Sequence, residues 1–122
     1  MKNILIIDDD KSLRLLLKEK IEKQGYNIIE ASNGKEGIDL YHKNNIDLII
    51  TDLIMPEKEG IETIIELRKE NSNIKIIAIS GGGYFNPEDY LEAAEGLGAI
   101  KTFMKPIKYD KLIDYINKLL KK

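Results

Sequence analysis

Five short apolar runs punctuate the chain at nearly regular intervals. They are Asn3–Ile7, Tyr26–Ala31, Ile46–Asp52, Lys75–Ile79 and Ala99–Met104. Each is short and mostly apolar, as strands are, and in the third the run is nearly unbroken, the pattern of a strand covered on both faces. The third run is the clearest: four of the five residues from Ile46 to Ile50 are apolar, and three are β-branched. Between the runs, apolar residues recur at helical spacing. Strict alternation of strand and helix implies right-handed βαβ units, hence a parallel sheet with helices on both faces. The expected fold is α/β, a single doubly wound five-stranded parallel sheet with five helices, forming one domain over residues 1–122.

The helices are bounded by local signals. Asp10 or Ser12 can cap the first, Leu13, Leu16, Leu17 and Ile21 form its apolar face, and Gly25 ends it. Lys35–His42 follows the Ser32-Asn33-Gly34 turn, with Ile38 and Tyr41 inward. Ile61–Glu70 places Ile61, Ile64, Ile65 and Arg68 at helical spacing. Pro87–Leu97 begins on a proline tolerated in a first helical turn. Tyr109–Leu120 gathers Leu112, Ile113, Ile116 and Leu119 on one face. No stretch is left for a second domain, so no output domain is expected.

Composition removes several functional classes. The chain has no cysteine, which excludes thiolate catalysis and cysteine-type zinc sites. A net charge of −2 gives no electrostatic footprint for nucleic acid or an anionic membrane. No apolar run reaches the length of a membrane span, and the first strand starts too close to Met1 for a signal peptide. The expected compartment is the cytoplasm.

In a parallel sheet all the carboxyl ends lie along one edge, where open α/β sheets bind ligands. The first strand delivers Asp8 and Asp9 to that edge, the third Asp52, the fourth Ser80 and the fifth Lys105. Two carboxylates about 4 Å apart repel by roughly 4 kcal/mol at an effective dielectric of 20. Clustered acids must therefore raise their pKa values, spread apart or bind a cation. Oxygen donors without His or Cys favour a hard ion, Mg²⁺ above all. A nearby lysine, a hydroxyl and backbone amides freed by Gly81 suit a phosphoryl group. Neither a dinucleotide-binding Gly-x-Gly-x-x-Gly nor a phosphate loop is present, so the phosphoryl group is expected to be small or carried on the protein. A carboxylate can itself accept phosphoryl, and Asp52, alone on the central strand, is the candidate.

Together, Ile4–Asp9, Asp52-Leu53-Ile54-Met55-Pro56, Ser80-Gly81 and Lys105-Pro106 resemble the receiver domain of two-component response regulators, over essentially the whole chain. The resemblance implies the flavodoxin-like strand order 2-1-3-4-5. It makes Asp52 the phosphoacceptor. It assigns Asp9 and Asp52 to Mg²⁺ directly, the Ile54 carbonyl as a further ligand, and Asp8 mainly through water. Ser80 would hydrogen-bond a phosphoryl oxygen, the Leu53 and Gly81 amides would contact the same group, and Lys105 would pair with its charge. The Lys105–Pro106 bond would often be cis. The donor would be a phosphohistidine on a histidine kinase or phosphotransfer protein, and chemistry would stop at self-phosphorylation and slow self-hydrolysis. Output would pass to a protein partner through the face built from Pro87–Leu97, the fifth strand and Tyr109–Leu120, with the receiver a monomer or weak dimer.

Two features depart from the family pattern. Receivers usually carry Tyr or Phe three positions before the lysine, where this chain has Thr102; Phe103 has the opposite strand parity. The segment from Ser80 to Lys105 is also longer than usual and opens with three glycines, so Tyr84 or Phe85 is a candidate replacement for the missing aromatic. These departures keep open an alternative, a pseudo-receiver that binds partners without phosphate. A Mg²⁺-dependent phosphatase is a second alternative, but Asp52 is followed by Leu53 and Ile54 and lacks an acid/base partner two residues on. Asp10 reads as a helix cap, His42 as an exposed helix-end residue, and Lys118, Lys121 and Lys122 as helix-terminal charges.

Overall fold

The computed structural model describes residues 1–53, 60–80, 92, 95, 96 and 98–120. The strands are β1 (Asn3–Ile7), β2 (Asn27–Ala31), β3 (Leu48–Asp52), β4 (Ile76–Ser80) and β5 (Lys101–Met104). The helices, numbered among the described residues, are α1 (Lys11–Glu22), α2 (Gly34–Lys43), α3 (Gly60–Glu70) and α4 (Tyr109–Leu120). All strands are parallel in the order β2-β1-β3-β4-β5. Of the fifth expected helix, Glu92, Glu95 and Gly96 are helical; the rest of Pro87–Leu97 lies outside the described residues. No described helix is long and apolar enough to cross a membrane.

Strand alternation splits the core into two layers. Leu5, Ile7, Ile49, Ile76 and Ala78 face one side and pack with Ile38 of α2 and Ile64 and Leu67 of α3. Ile4, Ile6, Leu48, Ile50, Ile77 and Ile79 face the other and pack with Leu17 and Ile21 of α1 and Leu112 and Ile116 of α4. Every residue of β3 and β4 is buried, as unbroken apolar runs require of central parallel strands.

Several boundaries differ from the sequence reading. Tyr26 precedes β2; it is buried, and its hydroxyl donates to Asn117 Oδ1 at 2.7 Å. β3 begins at Leu48, because Asp47 turns to accept the Asn3 amide on Oδ2 at 2.7 Å. β5 begins at Lys101 rather than Ala99. The cap of α1 is Asp10, not Ser12, accepting from the Leu13 amide at 3.2 Å. Gly25 takes the left-handed φ of +95° that closes the turn after α1. Leu16 is 39% exposed and Ile65 37% exposed, so neither belongs to its helix's inner face. In α3 that face is Gly60, Thr63, Ile64 and Leu67.

Candidate phosphoacceptor and metal site

Register assembles the site. Ile7 lies opposite Thr51, so Asp8 and Asp52 come next to each other as β1 and β3 end. Asp52 lies opposite Ile79, which sets Ser80 one step beyond. Ser80 lies opposite Met104, and Lys105 follows. Asp8, Asp52 and Ser80 are the acids and hydroxyl that the sheet buries here, while Asp9 is exposed beside them. One carboxylate oxygen from each of Asp8, Asp9 and Asp52 falls within 4.8 Å of the others.

Lys105 reaches back over this cluster. Its Nζ is 3.2 Å from Asp52 Oδ2 and 3.9 Å from Asp8 Oδ2. Three acids facing one lysine leave the cluster short of positive charge. The Asp8 carboxyl is pushed up to about 6, chiefly by burial; the Asp10 amide, donating to Oδ1 at 2.9 Å, pulls the other way, and Asp52 adds repulsion. Burial pushes Lys105 down, but the charges of Asp52 and Asp8 outweigh it and the net shift is upward. Lys105 is therefore a firmly charged ammonium. The Lys105–Pro106 bond is cis.

Ser80 Oγ is buried and has no hydrogen-bond partner among the described residues. A buried orphan hydroxyl is costly unless a ligand completes it. With an all-oxygen donor set and a surplus of negative charge, the residues fit a hard divalent cation and a phosphoryl group.

The Leu53 amide is not free for a ligand here. It donates to Ile79 O at 3.0 Å, extending the β3–β4 ladder one residue past Asp52. Ile54, Gly81, Tyr84 and Phe85 lie outside the described residues. Thr102 carries its hydroxyl 3.4 Å from Glu95 Oε2. Phe103 packs on the opposite face, edge to Tyr115 with centroids 6.4 Å apart, as its parity requires. His42 is half-exposed at the end of α2 and faces Glu70, not these acids; its Nε2 lies 2.6 Å from Glu70 Oε1.

Three residues escaped the sequence reading. Gly60, at the start of α3, donates its amide to Leu53 O at 3.0 Å. A Cβ there would sit 2.0 Å from Asp52 O and 2.7 Å from Leu53 Cα, so only glycine lets α3 approach the end of β3. Its signal in the sequence is its place directly before the apolar-periodic stretch Ile61–Glu70. Arg14 and Glu30 pair beneath Asp8; Arg14 stands four residues after the cap Asp10, and nothing local marks its partner.

Comparison with known proteins agrees with this geometry. Residues 4–117 match the family model described as the response regulator receiver domain. The chain belongs to that family. It is 33% identical over 119 residues to sporulation initiation phosphotransferase F of Bacillus subtilis, covering 98% of this chain and 94% of that one. It is 36% identical over 121 residues to the chemotaxis protein CheY of Thermotoga maritima, covering 98% of each. Among solved structures, the response regulator TrrA of Thermotoga maritima, in complex with Mg²⁺ and BeF, superposes with a TM-score of 0.83 at 34% identity, over 98% of this receiver and all of TrrA.

Proposed function

We propose that this receiver works as a stand-alone response regulator. It takes a phosphoryl group from a phosphohistidine donor onto Asp52 with Mg²⁺ and thereby switches a protein contact. The observation that carries the reading is the buried Asp52 carboxylate, 3.2 Å from the Lys105 ammonium and beside two further acids and an orphan serine hydroxyl. Asp8, Asp9 and Asp52 would hold the ion, which when bound neutralises charge on the transferring group. An Asp52 carboxylate oxygen attacks phosphorus as the phosphorus–nitrogen bond of the donor breaks. The departing imidazole keeps the electron pair and takes up a proton. Lys105 then faces the new phosphoryl oxygens, and Ser80 Oγ donates to one of them. Two relatives matched over nearly their whole length, named as a sporulation initiation phosphotransferase and a chemotaxis protein, support a role in phosphoryl-transfer signalling.

The face of β5 and α4 suits that output. A cleft of about 670 Å³ lies there, lined by Phe103, Met104 and Tyr115 together with Lys101, Lys108, Lys111 and Lys118. Lys105 lines it too, so one residue touches both the phosphoacceptor and the cleft.

The test is intact mass after incubation with Mg²⁺ and acetyl phosphate. Wild type is expected to gain one phosphoryl group and Asp52→Asn none. Equal labelling of both proteins would move the acceptor elsewhere. Failure of wild type to label or to bind beryllofluoride would favour a phosphate-independent interaction module, the reading that Thr102 in place of an aromatic supports.

A further inference from the structure

We infer that Arg14 is a positioning residue for the Mg²⁺ site, setting the peptide between the two adjacent acids. The inference rests on the metal assignment proposed above. Arg14 sits in the first turn of α1, almost buried, and splits its guanidinium between two partners. Nη1 donates to the backbone carbonyl of Asp8 at 2.7 Å, and Nε donates to Glu30 Oε1 at 3.0 Å. Glu30 is on β2, next to β1 in the sheet, and its other oxygen is 3.5 Å from Lys18 Nζ. The guanidinium is therefore fixed from the sheet side before it grips Asp8.

The Asp8 carbonyl is the point where this grip matters. Peptide planarity ties that carbonyl to the amide and Cα of Asp9, so its direction sets where the Asp9 side chain departs. Asp8 is held at its other atoms as well: its amide donates to Ala31 O at 3.1 Å, and its Oδ1 accepts from the Asp10 amide at 2.9 Å. Asp9 is exposed and has no comparable packing. Arg14 supplies the constraint that burial does not, as partners behind metal ligands generally do. A lysine would keep the charge but could not hold the carbonyl and Glu30 in one rigid fork.

The experiment measures Mg²⁺ affinity by isothermal titration calorimetry on wild type, Arg14→Gln, Arg14→Lys and Glu30→Gln, alongside melting in EDTA. On the order of a tenfold loss of affinity is expected for both Arg14 variants, and a smaller loss for Glu30→Gln, which loosens the arginine without removing it. Variants that melt lower in EDTA but bind Mg²⁺ like wild type would reduce Arg14 to a structural role and overturn the inference. Arg14→Lys binding like wild type would also overturn it, because charge alone would then suffice. Wild type that binds no Mg²⁺ would overturn the metal assignment itself, a distinguishable outcome.

Discussion

Asp8 carries two roles that pull against each other. As an anion it would serve the proposed metal site; as a buried carboxyl, 2% exposed, it resists ionising, which holds its pKa at about 6. The unfolded value is near 3.8, so between pH 4 and 6 the folded chain binds more protons than the unfolded one. Stability without metal is therefore highest below pH 4 as far as this group is concerned, and is lost as pH rises to 6. The upward shift corresponds to about 3 kcal/mol at 1.36 kcal/mol per unit. Asp8→Asn removes the ionisation and keeps an oxygen for the Asp10 amide. In EDTA at pH 7.5 it should melt higher than wild type, by an amount equivalent to about 1–3 kcal/mol, and the difference should vanish near pH 4. Thermal melts of the two proteins across pH 4–8 check this; a variant less stable than wild type at pH 7.5 would contradict the assigned burial cost.

At the scale of elements, the site depends on how closely α3 docks against the end of β3. Gly60→Ala forces a methyl into the Asp52 carbonyl and Leu53 Cα, backbone atoms that cannot rotate away. The substitution should cost about 1–3 kcal/mol, the usual range for overpacking, and should slow phosphorylation of Asp52 because the strand end must shift. Gly37→Ala is the comparison: its methyl would meet Ile7 Cδ1 and Cγ1, side-chain atoms that can shift where backbone atoms cannot. It should label at close to the wild-type rate in the same mass assay. These two glycines also mark the boundary of what the sequence made legible. Five strands and the polar residue ending four of them were readable: burial on both faces writes β1, β3 and β4 as nearly unbroken apolar runs, while the partly exposed edge strands β2 and β5 were marked by their place between helical stretches. Phe103's turn away from Thr102 was readable from alternation alone. The need for Gly60, and the pairing of Arg14 with Glu30, were not, since each arises from the approach of elements far apart in the chain. Leu16 and Ile65 misled because periodicity places an apolar stripe without saying where the covering layer stops.

Across the whole molecule, an ion at the acid cluster would make stability a report on metal occupancy. Four strands of the five end at the site, so an ion bound there is linked to the integrity of the entire sheet. A ligand that binds only the folded state, present at 100 times its Kd, adds about 2.7 kcal/mol. For a domain of this size each kcal/mol moves Tm by roughly 4 °C. Mg²⁺ at that excess should therefore raise the Tm of wild type by about 10 °C or more at pH 7.5. Below pH 6 the rise should shrink, because protons compete for Asp8 and the site loses an anion. Asp8→Asn should cross over: more stable than wild type in EDTA, but scarcely moved by Mg²⁺. Differential scanning calorimetry of both proteins, with and without Mg²⁺ at pH 5 and 7.5, separates site binding from general ionic effects, since only the former depends on Asp8. Equal Mg²⁺ shifts in the two proteins would mean that the ion stabilises the fold from somewhere other than this cluster.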